Sequence, residues 1–453
     1  MSYLGAVRAG ALAVVFGCVP AIAHAETLKE ALASAYTNNP TIMSALLDVK
    51  STAEGIALAK SGKLPTIGVS ASSGATWTVG DGLPNAGFDV NWGQVSASYN
   101  QTLFDNFQTD AQIEQARALT ELSKYSLRNQ EQNVLLSVVQ AYYSVIRDTQ
   151  LVQLRADNMS FFDAQVSSAN DRLRLGEGTK IDVSQASTRQ AAAVASYQAA
   201  IASLQTSQAS YERWVGHKPR NLTSDYNFGK TLPTSIDSAI SSAEERHPAL
   251  LSARAAIRVA QAGSDAASAA FGPKLNMIGS ICAIGCFGET PGASASVNFQ
   301  LSIPIYAGGA LGASIRRANI DQIKSEVDAL SARDQIRESV ISAWSSLQNS
   351  SAQIESAQSA VSSGQLVVEG TVQERDVGQK TTLDVLNAQA ELTSAREGLI
   401  QARSSRMIAA FALLAASGRL SAEDLRLDVT IHSADGYIAK VEDVWQELRA
   451  LDE

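Results

Sequence analysis

The sequence predicts a mixed α and β membrane protein, internally duplicated. Each chain gives four strands to a twelve-stranded barrel that three copies close, and each half adds a very long helical stretch. Three observations predict this. The 453-residue chain is written twice at a nearly fixed offset. Each half carries two alternating segments long enough for tilted membrane strands. Each half also contains a Pro-free stretch too long for any compact domain.

Residues 1–25 read as a secretory signal. They hold one charge, Arg8, then the apolar stretch Ala9 to Val19, and end in Ala23-His24-Ala25, which fits small-x-small cleavage. That apolar core is too short to span a bilayer. Cys18, after Val15-Phe16-Gly17, loosely suggests a lipoprotein site, but Phe16 is bulky there and Ala25 offers the better cut. The mature chain is expected to start near Glu26, with 35 basic and 45 acidic side chains. No later apolar run approaches the ~20 residues of a membrane helix; Met407 to Ala416 reads as buried helix.

The first repeat is assigned to residues 26–216. Leu28, Ala31, Leu32, Ala35 and Pro40 recur as Ile236, Ala239, Ile240, Ala243 and Pro248, each 208 positions on, and Pro65 recurs as Pro273. A helical stretch leads to Pro65, then a strand pair lies near 66–104. Ile67, Val69 and Ala71 share one strand face, with Thr66, Gly68, Ser70 and Ser72 on the other. Period two with one apolar face is a half-buried strand, which a soluble sandwich would also show.

A long helix is expected over 110–173. It contains no Pro, and Leu135, Val138, Tyr142, Val145 and Ile146 recur at three- and four-residue spacing. At ~1.5 Å per residue such a helix runs roughly 95 Å. A second helix follows over 180–215, then a linker over 217–235.

The second repeat, 236–418, has the same order: helix, strand pair near 275–305, long helix 312–375 and helix 382–417. Its last strand sets Ala295, Val297, Phe299, Leu301, Ile303 and Ile305 against Ser294, Ser296, Asn298, Gln300 and Ser302. Here the offset falls to 202: Leu103-Phe104 matches Ile305-Tyr306, Ala141-Tyr142 matches Ala343-Trp344, and Gly176, Thr179, Asp182 and Val183 match Gly378, Thr381, Asp384 and Val385. The change of six falls at the strand connection, where length varies cheaply. Residues 419–453 form a tail, with Val441, Val444, Trp445 and Leu448 at helical spacing.

Four strands cannot close a barrel, and an open edge cannot face lipid, so strands in a membrane require a homotrimer. A net charge of −9 argues against nucleic-acid binding. No zinc spacing, phosphate-cradling loop or nucleophile motif is visible, so no metal, no cofactor and no catalytic residue is expected. An exported enzyme is therefore disfavoured. A periplasmic helical scaffold or adaptor without a pore explains the long helices, but not the duplicated strand pairs.

These features resemble the TolC family of outer-membrane efflux proteins across nearly the whole mature chain. The most specific stretches are Leu175-Gly176-Glu177-Gly178-Thr179-Lys180-Ile181-Asp182-Val183, then Val377-Gly378-Gln379-Lys380-Thr381-Thr382-Leu383-Asp384-Val385, and Ile303-Pro304-Ile305-Tyr306-Ala307-Gly308-Gly309. The resemblance implies a trimer in outer-membrane lipid with a helical tunnel in the periplasm. It implies an equatorial belt built from 217–235 and the segment after Gly418. It also implies a passive exit duct working with a periplasmic adaptor (membrane fusion) protein and an inner-membrane transporter, for drugs or for polypeptides of type I secretion.

Gly176 and Gly378 are suited to end helices, Thr179 and Thr381 to cap the next, and Asp182 and Asp384 to sit in the first turn. As bare chemistry these are helix stops. The resemblance adds adaptor docking and a periplasmic gate at both turns. Its two acidic gate positions match Asp384 and Asn387, so only one is charged; Asp182 and Lys380 are expected to form a constricting link. An aromatic gate position falls near Arg375 and is unmatched. Three copies of Asp384 facing one axis would favour cations; turned outward, the same charges only solubilise. Cys282 and Cys286 are candidates for a local disulfide after export. Trp77, Trp92, Tyr99 and Phe299 are candidates for interfacial belts. His247, before Pro248, reads as a helix-start residue.

Overall fold

The computed structural model describes residues 25–78, 87–229, 231–284 and 292–442. Residues 1–24 (with Cys18), Cys286 and residues 443–453 lie outside these, as do the side chains of Trp77 and Trp92.

The first half runs α1 (Leu28–Asn38), α2 (Pro40–Ser61), β1 (Thr66–Thr78), β2 (Gly87–Phe104), α3 (Gln108–Leu175) and α4 (Lys180–Val215). The second repeats it as α5 (Ile236–Arg246), α6 (Pro248–Ala269), β3 (Lys274–Ile284), β4 (Gly292–Ser302), α7 (Ala310–Asp376) and α8 (Thr382–Ala416), followed by α9 (Asp435–Glu442). At ~1.5 Å per residue, α3 and α7 each reach about 100 Å.

The opening helix of each half is broken in two, at Asn39 and at His247. Both residues are extended because a proline follows, and both cap the next helix. Asn39 Oδ1 accepts from Thr41 N–H at 2.9 Å, and His247 Nδ1 accepts from Ala249 N–H at 3.2 Å. Burial holds the His247 imidazole below its ordinary pKa, which suits a neutral cap. The broken helices then close the far ends of their own repeats. Ser34 Oγ donates to Val215 O at the end of α4, and Ser242 Oγ donates to Ser417 O after α8, each at 3.1 Å. These orphan carbonyls would otherwise lack partners.

The sheet is antiparallel in the order β1-β2-β3-β4. Its register sorts side chains into rows of one kind. Gly68, Ser98, Ser280 and Ser296 are aligned, as are Ser70, Ser96, Cys282 and Ser294. The alternate rows are Val69, Ala97, Ile281 and Ala295, and Ile67, Tyr99, Gly279 and Val297. β4 stops at Ser302, short of Ile303 and Ile305, because Pro304 has no N–H for a ladder.

The helices repeat the strand order. α2 packs on α3, α3 on α6 and α6 on α7, so each strand has its own helix below or above it in the same sequence around the wall. Towards the other end α3 packs on α4, α7 on α8, and α3 meets α8. At the junction between sheet and long helix, two consecutive residues are left-handed in both halves. They are Asn106 (φ 57°) and Phe107 (φ 64°), then Gly308 (φ 61°) and Gly309 (φ 82°).

The main core lies part-way down the helices. Leu28, Leu32, Leu135, Val138, Tyr142, Tyr211, Phe411 and Leu414 pack there with Leu420 and Leu425 of the tail. Tyr226 and Phe228 of the 217–235 segment lie against Phe411, with ring centroids 4.9 and 5.1 Å away. α8 is long and apolar enough to cross a membrane by composition, which the reading of Met407 to Ala416 did not anticipate; half its most apolar window is buried inside the chain, with Phe411, Leu413 and Leu414 fully enclosed.

The tail is fastened by Tyr36, which stacks on His432 at 4.9 Å and accepts from its N–H at 3.1 Å while donating to Glu131 Oε1 at 3.1 Å. They line a cavity of about 760 Å³ that also meets Arg128, Glu423 and Asp435. Burial, with a smaller push from Glu423, lifts the Glu131 carboxyl to about 7, against the opposing effects of Tyr36 and Arg128.

Candidate gate and membrane-facing sheet

Both G-x-x-T-x-x-D turns fold as paired helix stops. Gly176 (φ 78°) and Gly378 (φ 80°) take the left-handed conformation that ends α3 and α7. Thr179 and Thr381 are N-caps of α4 and α8, and each closes a reciprocal capping box with the aspartate three residues on. Asp182 Oδ2 accepts from Thr179 N–H at 2.9 Å and Oγ1 at 2.7 Å, and Thr179 Oγ1 accepts from Asp182 N–H at 3.2 Å. Thr381 and Asp384 reproduce those three distances. The hydroxyl of Thr179 and the N–H of Thr381 lead in holding these carboxyls below the usual aspartate range. Asp182 therefore spends its carboxylate on its own helix. Among the described residues of one chain, Lys380 makes no side-chain hydrogen bond or ion pair with Asp182; its charge instead adds a small push that holds the Asp384 carboxyl down.

Asn387 is engaged elsewhere, accepting from Arg189 Nη2 of α4 at 3.1 Å. Arg375 is buried near the end of α7. Its Nη1 donates to Gln165 Oε1 of α3 at 2.7 Å, and its Nε and Nη2 hold Asp376 Oδ1 at 3.0 and 2.8 Å. Further from the turns, α3 and α8 meet through polar groups. Arg155 pairs with Glu397 at 2.5 Å, and buried Asn158 Oδ1 accepts from Thr393 Oγ1 at 2.9 Å and Gln389 Nε2 at 3.3 Å. By contrast α7 and α8 join through Val368, Ala388 and Leu392, with an apolar plug of Phe162, Ala193 and Leu386 beside them. The two hairpins are tied to each other by these polar contacts together with one apolar cluster, Phe162 of α3 and Ala193 of α4 against Leu386 of α8.

At the opposite end, the apolar rows of the sheet are uncovered. Ile67, Val69, Ile281, Val297, Phe299 and Leu301 are all exposed. A sandwich would pack a second sheet on that face; lipid contact leaves it bare within the protein. The other face carries Ser and Asn. Cys282 lies on it as a free cysteine, its Sγ accepting from Gln94 Nε2 at 3.1 Å, and Cys286, its expected partner, lies outside the described residues.

The family model described as outer membrane efflux protein matches residues 31–217 and 239–419, one match to each repeat. The chain belongs to the outer membrane efflux protein family.

Among relatives of this efflux family, the outer membrane efflux protein BepC of Brucella suis is 35% identical over 435 residues, covering 95% of this chain and 93% of that one. The outer membrane protein TolC of Escherichia coli is 24% identical, covering 89% and 84%. The Campylobacter jejuni CmeC outer membrane channel has the same fold at a TM-score of 0.76 and 15% identity, covering 86% of this chain and 85% of that chain. The protein is thus an outer-membrane member of a family of channels, with a duplicated α and β fold.

Sequence reasoning singled out Gly176, Thr179, Asp182, Gly378, Lys380, Thr381, Asp384 and Asn387. The structure brings them to two matching turns and uses one of them, Asn387, in a cross-tie to Arg189; the other ties fall on residues not singled out, Gln165 with Arg375 and Asn158 with Thr393. The signal that finds the last two is polarity at positions of the long helices that face inward.

Proposed function

We propose that three copies of this chain close a twelve-stranded barrel and helical tunnel, forming a passive exit duct gated at the paired turns. The observation that carries it is the polar seam between the α3/α4 and α7/α8 hairpins, at the far end of helices that hang from a lipid-facing sheet. Hydrogen bonds across such a seam are worth about 1 kcal/mol net each, because water replaces them when they part. The tie holds the tip closed, and the apolar surface its release exposes is confined to the small cluster of Phe162, Ala193 and Leu386.

In this reading β1 with α2 is one open edge and β4 with α7 the other, and each meets its counterpart on the next copy. Ile320, Ile323, Val327 and Leu330 form an exposed stripe along α7 at three- and four-residue spacing, suited to bury against a neighbouring helix. Lys380 is the group left free to reach a second copy, with Asp182 as its candidate partner. The duct takes drugs, toxic small molecules or secreted polypeptides from an inner-membrane transporter, joined by a periplasmic adaptor that docks near Gly176, Thr179, Gly378 and Thr381. No chemistry is assigned to the chain itself; the transporter supplies energy. Asp384 makes the aperture cation-preferring.

Single-channel conductance in planar bilayers tests this, comparing the wild type with Asp182→Ala and Lys380→Ala. A small cation-preferring conductance that rises sharply in the Lys380 variant supports the gate. An open channel unchanged by both substitutions keeps the duct and removes the gate. A protein that extracts without detergent and conducts nothing overturns both.

A further inference from the structure

Glu26 is a buried carboxylate at the point where the chain enters the fold. Ala25 before it is exposed, whereas Glu26 is 7% exposed. Tyr211 OH donates to Glu26 Oε1 at 2.6 Å and the Arg220 N–H to Oε2 at 3.2 Å. The main chain is held as firmly. Glu26 N–H donates to Arg220 O at 3.2 Å, and Glu26 O accepts from Tyr142 OH at 2.9 Å and Thr223 N–H at 3.2 Å. One residue thus ties the start of α1 to α3, to α4 and to the 217–235 segment.

A buried carboxylate calls for a countercharge as well as hydrogen bonds. Among the described residues no Lys or Arg lies within ion-pair distance of Glu26. The nearest group able to carry charge is the His217 imidazole, its Nε2 3.4 Å from Oε1, and it is not a permanent cation.

We propose that the missing cation is the α-ammonium of Glu26 itself, made when an envelope endopeptidase hydrolyses the Ala25–Glu26 bond. Water supplies the hydroxyl that ends up on the Ala25 carbonyl carbon, the C–N bond breaks, and the released amine takes up a proton. Because Glu26 is buried and its N–H is bonded to Arg220 O in the folded chain, the cut comes before these partners close around it, and the exposed Ala25 marks where the leader departs. The new ammonium keeps the Arg220 carbonyl as its acceptor and stands beside the carboxylate. Maturation then does more than discard a leader: it completes a zwitterionic clasp on the helical core.

The test uses protein purified from outer membranes. Intact mass and amino-terminal sequencing give the first residue, and acetylation at neutral pH, read by peptide mass, gives the reactivity of its amine. The expected first residue is Glu26, with its amine acetylated at least about tenfold more slowly in the folded protein than in the unfolded chain. Glu26→Ala and, more mildly, Tyr211→Phe should raise the folded-state rate and lower the unfolding temperature. A mature chain beginning elsewhere, including at a lipid-bearing Cys18, overturns the proposal. So does a Glu26 amine that reacts equally fast folded and unfolded.

Discussion

Arg375 Nη1, near the end of the second long helix, lies 2.7 Å from Gln165 Oε1 on the first. The same guanidinium holds Asp376, so one buried side chain ties the two hairpins and ends its own helix. A buried hydrogen bond to a charged group contributes about 1.5–3 kcal/mol. Arg375→Ala should therefore loosen the tip, raising single-channel conductance more than Arg189→Ala, whose partner Asn387 is exposed. Equal, unchanged conductance in both variants would show that the seam does not limit opening.

Thr179 and Thr381 cap α4 and α8 with the same geometry. Thr179→Ala should cost about 1 kcal/mol and speed amide hydrogen exchange in the first turn of α4, leaving the middle of α3 protected. Because the Asp182 and Asp384 carboxyls are held below their ordinary range by these caps, the stabilisation is present at neutral pH and is lost as acid protonates them. Protection factors at both turns, taken relative to the intrinsic exchange rate at each pH, should fall at pH below the aspartate range.

Glu131 titrates in the opposite sense. Its folded carboxyl sits at about 7 against an ordinary value of 4.5, so the folded form holds the proton more tightly than the unfolded chain. This contribution to stability is full below about 4.5 and is lost as pH rises through 7. The unfolding temperature should fall between those limits, and Glu131→Gln should flatten that slope. The Tyr36–His432 contact reports the same event, since both rings move if the tail lifts.

Phe107 and Gly309 occupy equivalent left-handed positions, φ 64° and 82°, where each long helix leaves the sheet. A non-glycine residue there costs about 1–2 kcal/mol. Phe107 is largely exposed and recovers little beyond an edge contact with Phe104 at 5.9 Å. Phe107→Gly should raise the unfolding temperature slightly and Gly309→Ala should lower it. The reverse order would mean that Phe107 is held by packing against a neighbouring copy or lipid.

The duplication, the strand pairs and the long helices were legible because each is a pattern of period: 208 or 202 residues, two, and three to four. The break of the opening helix at Asn39 and His247 was half legible: His247 before Pro248 read as a helix-start residue, but not that its ring nitrogen, like the Asn39 amide oxygen, accepts the cap hydrogen bond. The turns were legible as motifs because a left-handed glycine and a capping threonine act within a few residues. The ties between hairpins were not. Gln165 and Arg375 are 210 positions apart, as are few local signals, and nothing in either helix says which face meets the other. Asp182 was expected to reach across to Lys380; within the chain its own N-cap claims it first, because a partner three residues away needs no chain closure.

The matching order of strands and helices has a mechanical consequence. In the proposed trimer each copy is a pair of staves, the long helices α3 and α7 running from sheet to tip, with the helices around them in the order of the strands. A missing copy would open the cask along its whole length, leaving unpaired strand edges in lipid and a bare apolar stripe in water at once. Two-thirds of a wall therefore gains little over separate staves, and closure in both compartments should come as one all-or-none step.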